Sequence, residues 1–412
     1  MKTEVLIIGA GPVGLLLANL LGVRGVRTLL VERQREPAPQ SRAIGITPPS
    51  LEILESVGLA GDFARAGVAV RQAVVHGSSR ELGRLLFNSV HPRFPFILSI
   101  PQQRTAVLLR QAATSYRCVE LRNAVHVERV MHTADGVTAE CSDEALLHAR
   151  YAVAADGARS SIALAAGIAR KRVSYRDAFF MADFHDRSTL GSDAHLWFTH
   201  NGAVESFPLP DAGRRWIVQL PRAVAAAGGQ DDIDLEGLVY SRAGVALRRD
   251  DRVWQSAFQP ERSELARFVD NRLFFAGDAA HTMSPIGGQG MNTGFGDAEL
   301  LAFTLSHALG RSARNASAGH EPTAARYQRA RRKASRAAAR RAWAGMRVGT
   351  LRGRPVSLLR NAIVSLLMHG AAALLARHFS MQSIPMRSAA LALRGKRFLD
   401  PRGAHKAGQK IV

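Results

Sequence analysis

Cysteine is nearly absent. The 412 residues contain only Cys118 and Cys141, too few for a disulfide framework or a cysteine-built zinc site. Two inert core thiols in a reducing, cytoplasmic compartment are expected. Long apolar runs are missing as well. The most apolar window, residues 356–375, is interrupted by Arg360, Asn361 and His369. It reads as a packed helix, because a span needs about 20 predominantly apolar residues. A secretory leader is not expected, since Glu4 precedes a short apolar run that Gly9 ends. Acidic residues are scarce: 34 Asp and Glu against 55 Lys and Arg give a formal charge of +21. Much of the excess is local. Residues 311–352 hold 11 Arg and one Lys against one acid, Glu321. No helix-turn-helix, zinc finger or interleaved aromatic series accompanies this run. It is expected to form the solvated face of an Ala-rich helix. No nucleic-acid partner is expected, and at most a weak attraction of this C-terminal region to an anionic membrane surface or a phosphorylated cofactor. Neither a metal site, a nucleophilic triad nor a carboxylate pair is evident.

What is abundant is apolar residues, 47% of the chain, enough for a large core in two interlocked domains or one large α/β unit. Residues 3–8 form a β-branched, apolar run typical of a strand buried on both faces. A glycine-rich turn follows, then an apolar helix over 15–22 closed by glycine, then a strand over 27–32 ending in Glu32. This is a βαβ unit, which predicts parallel strands with a right-handed crossover. Residues 50–66 and 103–116 read as helices, 119–141 as hairpin strands around Asp135-Gly136, and 150–156 as a strand. Segments 73–98 and 179–220 alternate apolar and polar residues between turn signals, the pattern of an antiparallel sheet. A last buried strand, Leu273 to Ala276, leads to a second glycine-rich turn and a helix from about Met291. Beyond 322 the chain reads as helical and basic.

The first turn is Gly9-Ala10-Gly11-Pro12-Val13-Gly14, a G-x-G-x-x-G between a strand and a helix. Gly9 permits the tight turn, Gly11 lets a pyrophosphate approach the backbone, and Gly14 lets helix and strand pack closely. Free N–H groups and the positive end of the helix dipole favour phosphate there. Glu32 stands at the end of the second strand, where a carboxylate accepts bonds from ribose hydroxyls and disfavours a 2′-phosphate. The bound adenosine is therefore expected to belong to FAD or NAD.

The second turn reads Gly277-Asp278-Ala-Ala-His281, continuing Pro285-Ile-Gly287-Gly288-Gln289-Gly290-Met291-Asn292. Together with Asp156-Gly157-Ala158-Arg159-Ser160, it resembles the FAD-dependent aromatic hydroxylases of the 4-hydroxybenzoate hydroxylase type, the class A flavoprotein monooxygenases. The resemblance covers about the first 310 residues. It implies a Rossmann-like α/β FAD-binding domain, an inserted antiparallel β-sheet substrate domain and a C-terminal helical segment. The boundaries it suggests are 1–72, 99–175 and 265–321 for the FAD domain, 73–98 and 176–264 for the substrate domain, and 322–412 for the helical region.

It also implies roles. Asp278 would hold the ribityl chain, while Pro285, Gly288, Gly290, Met291 and Asn292 lie against the flavin ring, with helix N–H groups facing the atoms that turn negative on reduction. Asp156 and Arg159 belong to a turn that serves both FAD and the nicotinamide. Arg33 and Arg42 match basic residues near the pyrophosphate, Gln102 a flavin-contacting glutamine, and Val127 a backbone contact to adenine. Two departures stand out: Ala163 replaces an arginine after the Asp-Gly turn, and Ala106 an acid after Gln102.

The implied chemistry is a monooxygenase. NADH or NADPH reduces FAD, O2 adds at the flavin C4a carbon, and the hydroperoxide passes oxygen to an aromatic or polyketide-like ring. A reductase, a dehydrogenase or a halogenase on the same fold is the alternative, the last without its usual Trp-x-Trp-x-Ile-Pro segment here. Substrate contacts are expected from His195, Trp197, Phe198, His200, Glu205, Phe207, Trp216 or Gln219, with the pocket-facing side of the strand left open. His281 is expected to be structural, and no catalytic base is named.

Overall fold

The computed structural model describes residues 3–36, 43–221, 233–285, 288–310 and 324–384. Val5–Ile8 is buried throughout and pairs in parallel with Thr28–Glu32 on one side and Tyr151–Ala154 on the other. Val119–Asn123 extends the sheet beyond Thr28–Glu32, and Leu273–Phe275 extends it beyond Tyr151–Ala154, both in parallel. Val269–Asp270 adds an antiparallel edge. Strand order therefore reverses direction at Val5–Ile8, and the glycine-rich turn leaves its carboxyl end at that switch point, where α/β sheets bind ligands. The Pro12–Gly22 helix has proline in its first turn and is almost wholly buried. It packs against a long helix, Gln289–Ala308.

The second large sheet has seven strands. Their order is Arg252–Phe258, Phe179–His185, Gly213–Gln219, Gly202–Leu209, Ala194–Thr199, Gln72–His76 and Glu81–Leu86. All pairs are antiparallel except Gln72–His76 with Ala194–Thr199. Two small antiparallel sheets form where the chain crosses between the large ones. Gly45–Ile46, Ile97–Ser99 and Val68–Val70 make one, and Arg170–Ser174, Glu261–Leu265 and His281–Thr282 the other.

Several expectations shift. The helix expected over 50–66 is two, Pro48–Glu55 and Ala60–Ala66, because Gly58 turns the chain with φ of 78°. Val119–Asn123 joins the parallel sheet, and the hairpin around Asp135 and Gly136 is Val127–His132 with Val137–Cys141. Cys141 is buried but Cys118 only half-buried.

The basic run is not simply a solvated face. Within the Ala324–Gly349 helix, Arg331 is 2% exposed and its Nε donates to Asp297 Oδ1 at 2.5 Å. Arg332 and Arg336 both pair with Glu264, and Tyr327 donates to the carbonyl of Phe275. These bonds tie the helix to Gln289–Ala308, to the Glu261–Leu265 strand and to the Leu273–Phe275 strand of the parallel sheet. The following helices, Arg354–Gly370 and Ala372–Phe379, pack on Glu81–Leu86, the outermost strand of the large antiparallel sheet. Their apolar side chains pack against the Val75, Leu82, Leu85 and Leu196 side of that sheet. Among the described residues no single helix is long and apolar enough to cross a membrane.

Candidate active site

Two cavities meet at the carboxyl end of the parallel sheet. The first, about 810 Å³, is lined by Gly9, Gly11, Glu32, Arg33, Val127, Asp156, Gly157 and Arg159 among others. Gly9 has φ of 106°, and a Cβ there would sit 2.5 Å from the carbonyl oxygen of Ala155. A Cβ on Gly14 would sit 2.0 Å from the carbonyl oxygen of Gly9. Both glycines are thus required by the way the turn folds under itself. Gly11 differs, because a Cβ there meets nothing within 4 Å and would project into open space. That space lies at the uncapped N-terminus of the Pro12–Gly22 helix, a natural seat for phosphate. Gly11→Val is accordingly expected to leave stability intact while weakening FAD binding about a hundredfold or more, the equivalent of ~3 kcal/mol. A fluorescence titration of the apoprotein with FAD checks this.

The second cavity, about 480 Å³, lies between the two sheets. Gly11, Pro12, Val13, Gln102, Asp278, Pro285, Gly288, Gly290 and Met291 line the wall nearest the glycine-rich turns. The two cavities share Gly11, Ala155 and Gly157, so a long ligand can run from one into the other. Gly288 sits in the left-handed region with φ of 62° and starts the Gln289–Ala308 helix without a side-chain cap. The first N–H groups of that helix therefore have no intrahelical acceptor and lie at the cavity. Of the remaining expected residues, Gly14 and Gly277 pack inside the turns and line neither cavity. Asn292 is a brace: its Oδ1 accepts from Thr47 N–H and Oγ1, and its Nδ2 donates to the carbonyls of Gly45 and Gly288. Arg42 and Gly287 lie outside the described residues.

The charges around the junction suit an elongated polar ligand. Both Glu32 oxygens already accept a backbone N–H, from Ala10 at 2.8 Å and Gln34 at 3.0 Å, which fixes the carboxylate at the cavity wall. Each oxygen keeps a free lone pair for a ribose hydroxyl. Asp156 Oδ1 is buried and has no hydrogen-bond partner among the described residues. Desolvation raises the Asp156 carboxyl above its ordinary pKa, against hydrogen bonds that begin with Ser160. Asp278 is raised for the same reason, with His281 and Arg170 pulling the other way. A ligand that brings a hydroxyl donor to Asp156 would satisfy an oxygen the described residues leave unpaired. Arg170, which the sequence reading missed, bridges the turns by donating to Ser263 and to the carbonyls of Asp278 and Ala279. His281 is 2% exposed and its Nε2 donates to Asp297 at 2.7 Å.

The open question of the strand face is resolved by packing. Ala194, Leu196 and Phe198 line the second cavity, as do Glu205 and Phe207. His195 and Trp197 point to the other face, where they stack with His76, and Trp197 with Trp216. His200 instead meets Ser78, and Gln219 holds Asp177 and the N–H of Ala203. None of His195, Trp197, His200, Trp216 or Gln219 lines the cavity. Met368 and Phe379, from the C-terminal helices, do. No local sequence signal marked them.

Glu205 is 8% exposed, and burial pushes its carboxyl up to about 7. The ordinary value is 4.5. Its folded pKa exceeds its unfolded one, so it carries no penalty below about pH 4.5. The penalty grows as pH rises toward 7, and is then constant. A rise from 4.5 to about 7 is worth about 3 kcal/mol. Glu205→Gln is therefore expected to be more stable than the parent at pH 8, by up to that amount, and equal to it at pH 4. Urea unfolding at both pH values tests the sign.

A family model for the FAD binding domain matches residues 2–342. Among curated proteins, the chain is 33% identical over 330 residues to 6-methylpretetramide 4-monooxygenase of Streptomyces rimosus, covering 76% of this chain and 57% of that one. It is 32% identical over 328 residues to the uncharacterized aromatic compound monooxygenase YhjG of Bacillus subtilis strain 168, covering 76% and 63%. The chain thus spans roughly six tenths of the length of these curated relatives. Among solved structures, OxyS anhydrotetracycline hydroxylase from Streptomyces rimosus superposes with a TM-score of 0.76 at 28% identity, covering 94% of this chain and 78% of that one. The p-nitrophenol 4-monooxygenase PnpA from Pseudomonas putida DLL-E4 shares the fold, with a TM-score of 0.80 at 22% identity over 94% of this chain and all of that one. The glycine-rich turns, the switch point and the match over most of the chain agree, and the chain belongs to the FAD binding domain family.

Proposed function

We propose that this chain is an FAD-dependent monooxygenase that consumes NADH or NADPH and O2 and hydroxylates a small aromatic or polyketide-like ring. The observation that carries the reading is the junction of the two cavities. One is a polar cradle for a dinucleotide. The other is a largely apolar chamber of about 480 Å³, the size and character of a small-molecule pocket. They join at Gly11, Ala155 and Gly157, and the residues that would hold a flavin ring line the chamber itself.

In this reading FAD supplies the electron transfer and oxygen activation when bound. The residues that would hold it are Gly9, Gly11, Pro12, Val13, Glu32, Arg33 and Val127 at the adenosine and pyrophosphate end. Asp156, Arg159 and Asp278 would serve the middle, and Gln102, Pro285, Gly288, Gly290 and Met291 the ring end. The protein's own work is positional. The Gln289–Ala308 helix offers N–H groups and a dipole to developing negative charge. Leu196, Phe198, Phe207, Met368 and Phe379 exclude water from the ring that reacts, which protects reactive species from side reactions.

The test is direct. The purified protein is expected to be yellow, and NADH or NADPH oxidation should accelerate when a phenol or polyketide binds, with O2 consumed and an oxygenated product formed. NAD(P)H oxidation without O2 uptake would identify a reductase or dehydrogenase, and a colourless protein that refuses excess FAD would end the reading.

A further inference from the structure

Resting on the oxygenase reading, we propose that Glu205 is the catalytic base that takes the hydroxyl proton of a neutral phenol or enol, and that it makes the pocket reject aromatic carboxylates. Register across the antiparallel sheet places Val75, Leu196, Glu205, Ile217 and Met181 in one row over five strands. All five line the second cavity. Four are aliphatic or Met, so a carboxylate in the middle of the row is out of place for a packing role. Glu205 is 8% exposed, and burial alone acts on its carboxyl, with no hydrogen-bond or charge partner among the described residues. An unpaired buried carboxylate is costly, and such groups cluster at functional sites.

The surroundings define the ligand. No Arg, Lys or His occurs among the described residues that line this cavity, and its other carboxylate is Asp278. A ring bearing a carboxylate would enter with no cation to meet it and an anion facing it, a juxtaposition that costs several kcal/mol. A hydroxyl is the complementary group, because it donates to Glu205 and can surrender its proton there. The O–H bond breaks, its electron pair stays on the substrate oxygen, and the proton sits on the Glu205 carboxylate. That raises electron density at the ring carbons that must attack an electrophilic oxygen. When the hydroxylated ring loses the hydrogen of its new C–O carbon to solvent and regains aromaticity, the substrate oxygen takes its proton back and Glu205 is ionised again. Burial holds the carboxyl at about 7, close to the operating pH, which is where a general base is most effective.

The experiment uses FAD-loaded protein, with 2-naphthol and 2-naphthoate as matched probes, and phenol and 9-anthrol to vary ring size. Binding is read from the perturbed flavin spectrum, and ionisation from the hydroxyarene's own absorbance. The parent is expected to bind 2-naphthol about tenfold or more tightly than 2-naphthoate. Bound naphtholate should increase as pH rises through neutrality. Glu205→Gln keeps the shape of the side chain; its bound naphthol should stay protonated, its preference over naphthoate should collapse, and turnover should fall about a hundredfold. Equal or tighter binding of naphthoate by the parent overturns the proposal. So does an unchanged naphtholate band in Glu205→Gln, or a flavin spectrum that none of the hydroxyarenes perturbs. The two readings fail separately. Naphthol ionised by Glu205 in a protein that never consumes O2 sinks the oxygenase and spares the base, and O2-dependent hydroxylation unaffected by Glu205→Gln does the reverse.

Discussion

Gly14→Ala is expected to produce a protein that no longer retains FAD and unfolds at clearly lower urea. The added methyl would stand 2.0 Å from the carbonyl oxygen of Gly9 and 3.3 Å from Ile7 Cγ2. The close atom belongs to backbone, and that backbone is held by the N–H of Gly9 donating to Val31. No rotamer change relieves such a contact, so the helix must move away from the strand. Overpacking of this kind costs typically about 1–3 kcal/mol, and more where the neighbour cannot yield. The turn is also the phosphate seat, so binding and stability are lost together. Gly11→Val is the control, because it adds bulk at the same turn in open space. Urea unfolding with the flavin absorbance recorded on each variant separates the two. Gly14→Ala with a parental midpoint and a full complement of flavin would mean that the turn is looser than its geometry implies.

Arg331→Met is expected to cost about 3–5 kcal/mol, the usual consequence of removing one partner from a buried ion pair. Asp297 has no exposed side-chain surface and accepts from Arg331, from His281 Nε2 and from the N–H of Gly277. Burial alone would raise the Asp297 carboxyl, but His281 and Arg331 more than offset it and hold it below its ordinary value. A depressed carboxylate stabilises the fold above its unfolded pKa, and that contribution is lost as pH falls through the folded value. The cost of Arg331→Met should therefore be largest near neutrality. Since Asp297 grips Gly277, the loss should also loosen the turn that presents Asp278 and weaken FAD binding. The double variant Arg331→Met with Asp297→Asn should recover part of the loss, because the stranded charge is gone. Denaturant unfolding of the singles and the double completes the cycle. A cost below about 1 kcal/mol for Arg331→Met would show that the pair is not a structural clamp.

The pattern in these two predictions matches what was and was not legible in the chain. The turn from Gly9 to Gly14 reads directly, since each glycine answers to neighbours a few residues away and to one strand. Glu32 and the Gly277-Asp278 turn read for the same reason. The Arg331 clamp did not. A composition of 11 Arg and one Lys over residues 311–352 suggests a wet face. One of those arginines is buried against an acid 34 residues earlier in the chain, and nothing local distinguishes it from its neighbours. Strand alternation showed that Leu196 and Phe198 share a face and that His195 and Trp197 share the other. It could not say which face meets the cavity, because both faces of that sheet are covered and both carry large side chains.

The sequence by itself determined the elements whose physics is short-ranged: the buried parallel strands, the two turns that only glycine can make, and the helix starts that leave N–H groups free. Tertiary structure alone decided the chamber. It brought Val75 beside Leu196 by parallel pairing across 120 intervening residues, set Glu205 as the single charge in an aliphatic row, and closed the wall with Met368 and Phe379 from helices that pack on an edge strand. Those contacts depend on which surfaces remain uncovered once the sheets have formed, and residue spacing along the chain carries no record of that.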